Sequence, residues 1–330
     1  GQLAQVLRGL SPTNSERLLV GPQTMDDAGV VLLGRAEGLP AGVELALVLT
    51  VDFFPPVVDH PYWYGAIAAA NSLSDVYAMG GKPISALTLA SLPKDLPQEW
   101  IAEIHRGGFE KVAEAGASVA GGHTVQGEMQ FGFSVTGWVD PKRMTANSGA
   151  REGDVAYLTK PLGMGTMTTA AKKRAIDWAT LEPAARQMAT LNRDAAEAML
   201  AAHAHACTDI TGFGLVGHAR NIAKASGLTF RLESARAPLF PGVLELSRKG
   251  LNSGGAKRGR NGLKDEVSIA PGLEDALVNL MFDAETSGGL LIVVAPQDAA
   301  TLERELGARG LPIARIGEFT APSGVHVEVR

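Results

Sequence analysis

The segment TDITGFGLVGH, residues 208–218, places one carboxylate, that of Asp209, immediately before a glycine-spaced turn that leads into a predicted helix. Two earlier segments hold carboxylates in equally unusual surroundings. TMDDAGV puts Asp26 and Asp27 side by side, and NSLSDVYAMGG puts Asp75 in an otherwise apolar stretch. Because like-charged carboxylates repel unless a cation lies among them, a fold that brings these segments together is expected to bind a hard divalent ion.

The aspartates stand at positions from which a shared ligand could be reached. In an extended stretch, Asp26 and Asp27 would point to opposite sides. Asp52 is predicted where a buried strand ends, which is the usual ligand edge of an α/β sheet. Asp75 shares a predicted helix face with Asn71. Taken singly, each aspartate is typical of a cap or a turn, but the set indicates a metal-nucleotide site.

Several other polar residues have plainer interpretations beside the functional ones. Gly121, Gly122, His123 and Thr124 end a predicted strand and could wrap a phosphate or a ribose, or could form an ordinary turn. His60 and His218 lack metal-ligand spacing to another His or Cys, and we interpret them as structural.

Composition bounds the class of protein. The chain has 330 residues, 45% of them apolar, and a net charge of −5 without a dense Lys/Arg block, which argues against a nucleic-acid partner. No apolar run approaches the roughly 18 residues that span a bilayer, so no membrane partner is expected. The single Cys207, interpreted as a small buried hydrophobe, agrees with a reducing compartment, and we predict a cytoplasmic location.

The length suits about two α/β domains. The polar, turn-rich stretch 141–154 is the predicted boundary between an amino-terminal domain, residues 1–140, and a carboxy-terminal domain, residues 141–330. In the first domain, apolar periodicity predicts alternating strands and helices. The predicted elements are strands at 44–54, PISALTLAS and FGFSVTGWV, helices at 61–79 and 96–115, and ASVAGGHT as a strand that runs into a glycine turn.

The second domain repeats the alternation from the strand VAYLTKPLGMG onwards. Helices are predicted at 181–202, at 214–226 and within LEDALVNLMF, and strands at LTFRLES, GGLLIVVA, PIARIGEFT and GVHVEVR. Residues 249–262 are predicted as a long basic loop, either mobile or ordered by a ligand. Its cations Lys257, Arg258 and Arg260 could help hold phosphate or could be solvated.

Common nucleotide folds are disfavoured because the chain has neither a G-x-x-x-x-G-K-[ST] loop nor a G-x-G-x-x-G after its first strand. A phosphate site can still be built where carboxylates hold metal ions that bridge phosphate oxygens and glycine-rich turns supply backbone donors. The sequence contains both kinds of segment.

The motifs together resemble a known family. TMDDAGV, LTVDFFPPVVDHPYWYGAIAAANSLSDVYAMGGKP, AGGHT, CTDITGFGLVGHA and ETSGGLL are similar, in the same order and across nearly the whole chain, to selenophosphate synthetases. The wider ATP-binding superfamily, with aminoimidazole ribonucleotide synthetase and thiamine-monophosphate kinase, shares the DDA and NLSD-type segments. It lacks this form of TDITGFGLVGH.

The resemblance implies a two-domain α/β (α+β) fold of the aminoimidazole ribonucleotide synthetase type, in a homodimer whose amino-terminal strands form a barrel at the interface. It also implies conversion of ATP, selenide and water to selenophosphate, AMP and orthophosphate. By motif, the magnesium ligands would be Asp27, Asp75 and Asp209. The ATP site would be lined by Thr24, Met25, Asp26, Asp52, Asp75, Gly122, His123 and Thr124. The resemblance leaves a need for K⁺ open.

One departure from the family pattern concerns the nucleophile. Family members carry a reactive Cys or selenocysteine, closely followed by a Lys, upstream of the first helix, and we expect these residues upstream of Gly1. Cys207 matches no part of that segment. Two alternatives therefore stand beside the synthetase: a catalytically silent nucleotide-binding homologue, and a superfamily kinase or cyclo-ligase that acts on another small acceptor.

Overall fold

Two mixed sheets, one on each side of residues 140–154, organise the protein. The structure, a computed structural model, describes residues 15–330. The first sheet has the spatial order β1-β2-β3-β6-β4-β5 and is antiparallel except for the β4–β5 pair. Its strands are β1 Leu18–Val20, β2 Gly29–Leu33, β3 Leu45–Phe54, β4 Lys82–Leu92, β5 Ser118–Gln126 and β6 Gln130–Val139.

The second sheet has the order β10-β13-β9-β12-β7-β11-β8. Its strands are β7 Val155–Leu158, β8 Ala206–Asp209, β9 Thr229–Leu232, β10 Val267–Ile269, β11 Leu290–Val294, β12 Ala314–Thr320 and β13 Val327–Val329. The strands β7, β11 and β8, which are neighbours at one end of this order, are buried along their whole length. Near-continuous apolar sequence therefore marks the interior of this sheet.

Helices pack on both sheets. Their bounds are α1 Pro61–Ala78, α2 Gln98–Glu114, α3 Met164–Lys172, α4 Trp178–Met188, α5 Arg193–Ala201, α6 Gly214–Ser226, α7 Val243–Arg248, α8 Gly254–Gly262, α9 Asp275–Met281 and α10 Ala299–Ala308. Within residues 15–330, no helix combines the length and the apolar character that crossing a membrane would require.

Helix α1 is buried on nearly all sides because its sequence is apolar all round, and it begins with Pro61 at the first helical position. Two glycines let α1 and α2 approach closely. A Cβ on Gly65 would overlap the carbonyl of Ile104, and a Cβ on Gly107 would overlap the carbonyl of Tyr62. The helix pair covers one face of the first sheet, and it carries Asp75 inward.

Most predicted elements are confirmed, but the prediction of one helix over 181–202 is wrong. The structure has α4 and α5, with a break in which Asn192 is buried. The Asn192 Nδ2 donates to Ser74 Oγ at 2.8 Å and to the carbonyl of Gly288 at 2.9 Å. A continuous helix would lose these tertiary hydrogen bonds, and the one to Ser74 joins the two halves of the chain.

Two further predictions are corrected. The segment predicted as a loop over 249–262 contains helix α8, because Ser253 caps it by accepting hydrogen bonds from the backbone amides of Gly255 and Ala256. The predicted glycine turn at GGHT is instead part of β5. β5 has a bulge opposite Ala86 and Leu87, where Gly121 has a φ of 142°. The bulge accommodates the glycines within the strand.

Candidate metal and nucleotide site

Asp27 lies in the loop between β1 and β2, where the backbone turns at Met25 with a positive φ of 54°. The linker residue Asn147 holds this loop. Its backbone amide donates to Asp26 Oδ1 at 2.5 Å, and its side-chain Nδ2 donates to the Met25 carbonyl at 2.9 Å. Thr24 Oγ1 also donates to Asp26. The carboxyl of Asp26 is therefore held by the linker, while Asp27 faces the second sheet.

Asp209 is the last residue of β8, and α6 begins at Gly214 after a short turn. Gly214 has a φ of 69°, and a Cβ there would lie 2.6 Å from the carbonyl oxygen of Asp283, so only glycine fits without strain. The turn brings His218, in the first turns of α6, back toward the end of β8.

The structure brings Asp27 and Asp209 together with His218. One ligand atom from each residue lies within 4.8 Å of the others. Thr208 Oγ1 donates to Asp27 Oδ1 at 2.7 Å. The other carboxylate oxygen of Asp27, Oδ2, and the Oδ2 of Asp209 are buried without a hydrogen-bond partner among the described residues. Two buried, unpartnered carboxylate oxygens are what a cation would satisfy.

Asp75, on α1, and Asp52, on β3, approach the same region from the amino-terminal half of the chain. Thr50 Oγ1 donates to the buried carboxyl of Asp75. Asn71 Nδ2 donates to Asp52 Oδ2 at 2.7 Å. The backbone amide of Ser287 in turn donates to Asn71 Oδ1 at 3.0 Å, which fixes the orientation of the Asn71 amide. The ETSGG turn of the second sheet thus supports a carboxylate of the first.

Electrostatics show that these carboxylates form one cluster. Burial, and then the charges of Asp209, Asp52 and Asp27, raise the pKa of Asp75 well above its usual range. Burial and then the charge of Asp209 do the same to the pKa of Asp27. Carboxylates arranged in this way fit a hard divalent cation, because its charge removes their repulsion and oxygen is its preferred ligand.

The pKa values of the other two aspartates of the cluster are also raised. Burial raises the pKa of Asp209 to about 7, although a hydrogen bond from Ser74 opposes the effect. Burial likewise raises the pKa of Asp52 to about 6, opposed by the hydrogen bond from Asn71. These four aspartates include all three of the predicted metal ligands.

The predicted nucleotide contacts other than Asp52 and Asp75 lie in two places. Thr24 and Asp26 line a cavity of about 280 Å³ beside β1 and the linker. Gly122, His123 and Thr124 lie on β5, an exposed strand at the edge of the first sheet. Their role as nucleotide contacts stays a prediction.

His218 also lies at this site, although the sequence predicts a structural role for it. Its spacing to other His and Cys residues does not indicate a metal ligand. His218 is buried, and its Nε2 accepts a hydrogen bond from the Thr211 backbone amide at 3.1 Å. Burial lowers the pKa of His218 to about 4, so the imidazole is neutral near pH 7.

Lys160 was not predicted from the sequence. Its buried Nζ donates to the carbonyls of Thr190 and Ser287, at 2.7 and 3.0 Å. Burial lowers its pKa to about 7, an effect that the charge of Asp209 opposes. One carbonyl belongs to the break between α4 and α5, and the other belongs to the ETSGG turn. These groups come together only in the folded chain.

Other candidates have plain structural places. Cys207 is buried in β8, and burial, followed by the charges of Asp27 and Asp209, raises the pKa of its thiol well above the usual range, which argues against a nucleophile. Arg260 on α8 donates to Asn279 and Asp275.

Comparisons with known proteins agree with this architecture. Residues 25–139 match the family described as AIR synthase related protein, N-terminal domain, and residues 151–330 match its C-terminal domain. A protein named selenide, water dikinase from Treponema denticola is 44% identical over 307 residues, or 93% of this chain and 84% of that protein. One of the same name from Caldanaerobacter subterraneus is 47% identical over 308 residues, or 93% and 87%.

Solved structures share the fold at lower identity. A crystal structure of thiamine-monophosphate kinase from Stenotrophomonas maltophilia has a TM-score of 0.68 and 20% identity, and the likeness covers 98% of this chain and 93% of that one. This likeness bears on the fold, which is the mixed two-domain α/β architecture that the sequence predicts.

Proposed function

Because the chain belongs to the selenide, water dikinases of the AIR synthase related family, we infer that it synthesises selenophosphate from ATP, selenide and water, and releases AMP and orthophosphate. One phosphoryl group passes to selenide and one to water. A Se–P bond and an O–P bond therefore form as the two anhydride bonds of ATP break.

The convergence of Asp27, Asp75 and Asp209 is the observation that carries this proposal at the level of the site. We propose that these three carboxylates hold Mg²⁺. Bound there, Mg²⁺ would neutralise the polyphosphate and stabilise charge on the transferred phosphoryl oxygens. The unpartnered oxygens of Asp27 and Asp209 support this assignment.

The remaining nucleotide contacts are proposed from position. Thr24, Met25 and Asp26 form the loop that Asn147 holds in place, next to a cavity. Asp52 is fixed by Asn71 on the inner side of the first sheet. A rigid support of this kind favours phosphoryl transfer, because the catalysis depends on positioning charged groups. We add Gly122, His123 and Thr124 on β5 to the ATP site by motif alone.

A homodimer is proposed from the outer face of the first sheet. From Leu49 onwards β3 alternates exposed with half-buried residues, and Leu49, Val51 and Phe53 are exposed to 42, 54 and 52%. Ile84 and Leu87 of β4 are also exposed. A large exposed apolar surface is characteristic of a protein interface. A second copy of this sheet would cover it, in agreement with the expected barrel.

We also propose the domain boundary at residues 140 and 141, since the strands of each sheet come from one side of it. A cytoplasmic location is proposed on the basis of Cys207, a free buried thiol.

The assay of choice is ³¹P NMR of ATP and selenide with the purified protein, together with calorimetry of a non-hydrolysable ATP analogue, with and without Mg²⁺. We expect selenide-dependent formation of AMP and selenophosphate. Asp27→Ala and Asp209→Ala should lower turnover by about two orders of magnitude or more, because metal-assisted charge stabilisation contributes several kcal/mol. Both variants should also lose Mg²⁺-dependent binding of the analogue.

Asp154→Asn is the matched control, since Asp154 is a buried carboxyl outside the cluster. Mg²⁺-dependent binding that survives in both alanine variants would refute the metal assignment. ATP turnover that does not depend on selenide would refute the activity. Replacing K⁺ by Na⁺ in the same assay tests the need for K⁺.

A further inference from the structure

A chain of hydrogen bonds runs from the backbone of the TDITGFG turn to one carboxylate of the cluster. The Thr211 backbone amide donates to His218 Nε2 at 3.1 Å. His218 Nδ1 lies 3.3 Å from Thr208 Oγ1. Thr208 Oγ1 lies 2.7 Å from Asp27 Oδ1. His218 and Thr208 are both buried, so water does not compete for these contacts.

The direction of each hydrogen bond follows from the first. A backbone amide can only donate, so His218 Nε2 is the acceptor and carries no proton. In a neutral imidazole the proton is then on Nδ1, which donates to Thr208 Oγ1. The threonine hydroxyl has a single proton, and it is free to donate to Asp27.

Thr208 has a second possible acceptor, the backbone carbonyl of Asp209, at 3.2 Å. Its hydroxyl proton can serve only one acceptor well. The hydrogen bond from His218 Nδ1 occupies one lone pair of Thr208 Oγ1. The proton is thereby directed toward the closer acceptor, the carboxylate of Asp27.

We propose that His218 and Thr208 are positioning residues that orient Asp27. By holding Oδ1, they leave Oδ2, which has no partner among residues 15–330, turned toward the metal. This inference rests on the proposed function, in which Asp27 is a metal ligand. It gives His218 a role outside the metal's own ligands, since both ring nitrogens are already engaged. Groups that orient a metal ligand typically change metal affinity about 10- to 100-fold when they are removed.

The test measures Mn²⁺ binding by electron paramagnetic resonance, in the presence of a non-hydrolysable ATP analogue. Thr208→Val and His218→Phe should raise the Kd for Mn²⁺ about 10- to 100-fold. Thr208→Ser keeps the hydroxyl and should bind Mn²⁺ like the unmodified protein. Thr166→Val is the matched control, because Thr166 is a buried threonine that donates to the buried carboxyl of Asp283 at 2.6 Å. It should leave the Kd unchanged.

Two measurements separate a positioning role from other roles. Electron spin echo modulation should show no directly bound ¹⁴N in the unmodified protein, and a directly bound nitrogen would make His218 a ligand and overturn the proposal. If His218→Phe fails to fold, His218→Asn and His218→Gln replace it. An Asn amide can reproduce the Nδ1 donor, so we expect the Asn variant to bind Mn²⁺ more tightly than the Gln variant.

Asp27→Asn distinguishes this inference from the proposed function. Loss of Mn²⁺ affinity in Asp27→Asn with unchanged affinity in Thr208→Val would refute the positioning role alone. Unchanged affinity in Asp27→Asn would refute the metal site itself.

Discussion

At the scale of single residues, the buried aspartates work against the stability of the metal-free protein. Asp27 and Asp209 each keep a carboxylate oxygen without a partner in the described part of the chain. Buried charges that lack partners are costly, and in the function proposed above a bound cation would supply the missing charge.

The pH dependence of stability tests this interpretation for Asp209. Its pKa is raised to about 7 in the folded protein from about 3.9 in an unfolded chain. Between these values the folded state binds more protons, so the contribution of Asp209 to the free energy of unfolding falls as pH rises. In EDTA, the Tm of the unmodified protein should decrease between about pH 5 and about pH 8. This decrease should exceed the decrease in Asp209→Asn by about 2 °C or more.

Mg²⁺ with an ATP analogue should remove this difference at about pH 8, because the cation stabilises the ionised carboxylate. Asp154→Asn serves as the control for loss of a buried carboxyl elsewhere. Parallel Tm profiles for the unmodified protein and Asp209→Asn would show that Asp209 is not titrating as described.

The structural roles of two asparagines, Asn147 and Asn71, cannot be predicted from the sequence. Asn147 forms hydrogen bonds with the TMDDAGV loop, which lies more than a hundred residues earlier in the chain. Asn71 accepts a hydrogen bond from the backbone amide of Ser287. Asn147 stands in no motif with a chemical signature of its own, and Asn71, which opens the NSLSDVYAMGG segment, is predicted from sequence only to share a helix face with Asp75. Their roles depend on which backbone groups the folded chain places beside them.

At the scale of elements, the contact between α1 and α2 positions Asp75. Gly65 and Gly107 let the two helix backbones touch, which leaves no room for a side chain at either position. The apolar sequence of α1 predicts that it is buried, but the identity of the helix it crosses comes only from the fold.

Gly65→Ala should therefore destabilise the protein by about 1–3 kcal/mol, the usual cost of overpacking a well-filled interior. The measurement is the urea midpoint at constant m-value. Gly262→Ala is the control, because Gly262 ends α8 with open space around it. It should be neutral or slightly stabilising, since Ala has the higher helix propensity. Equal urea midpoints for Gly65→Ala and Gly262→Ala would contradict the close approach.

The elements that differ from expectation share one cause. α8 has a sequence rich in glycine and cations, which is typical of a loop, yet the cap from Ser253 and packing beside α6 and α9 stabilise a helix. β5 contains GGHT, which is typical of a turn, yet pairing with β4 holds it extended. In each case tertiary contacts outweigh weak local propensity.

At the scale of the whole molecule, the outer face of the first sheet should bury itself against a second copy. Val51→Asp places a charge at the middle of that face, where Val51 is 54% exposed in one chain. An unpaired charge in an apolar interface is costly. By sedimentation velocity, we expect the unmodified protein to be a dimer and Val51→Asp to be a folded monomer.

Ile313→Asp is the matched control, because Ile313 is similarly exposed, at 52%, but lies outside the first sheet. It should sediment like the unmodified protein. A monomeric unmodified protein, or a dimer that persists in Val51→Asp, would refute the proposed interface.

The sequence by itself determined the class of fold and most of its strands and helices, and it led to the acidic residues proposed as metal ligands. These follow from local causes: apolar periodicity selects a strand or a helix, and a carboxylate in an apolar stretch is costly without a partner. The family motifs led to the same aspartates. For this reason the sequence alone is enough to propose Asp27, Asp75 and Asp209.

Only the tertiary structure decided which atoms meet. It placed His218 and Thr208 behind Asp27, Asn71 between Asp52 and Ser287, and an exposed apolar face on the first sheet. These contacts join residues far apart in the chain, and their geometry depends on the packing of both sheets. Local sequence does not determine such distances, because the energy that fixes them is shared among many contacts of the folded chain.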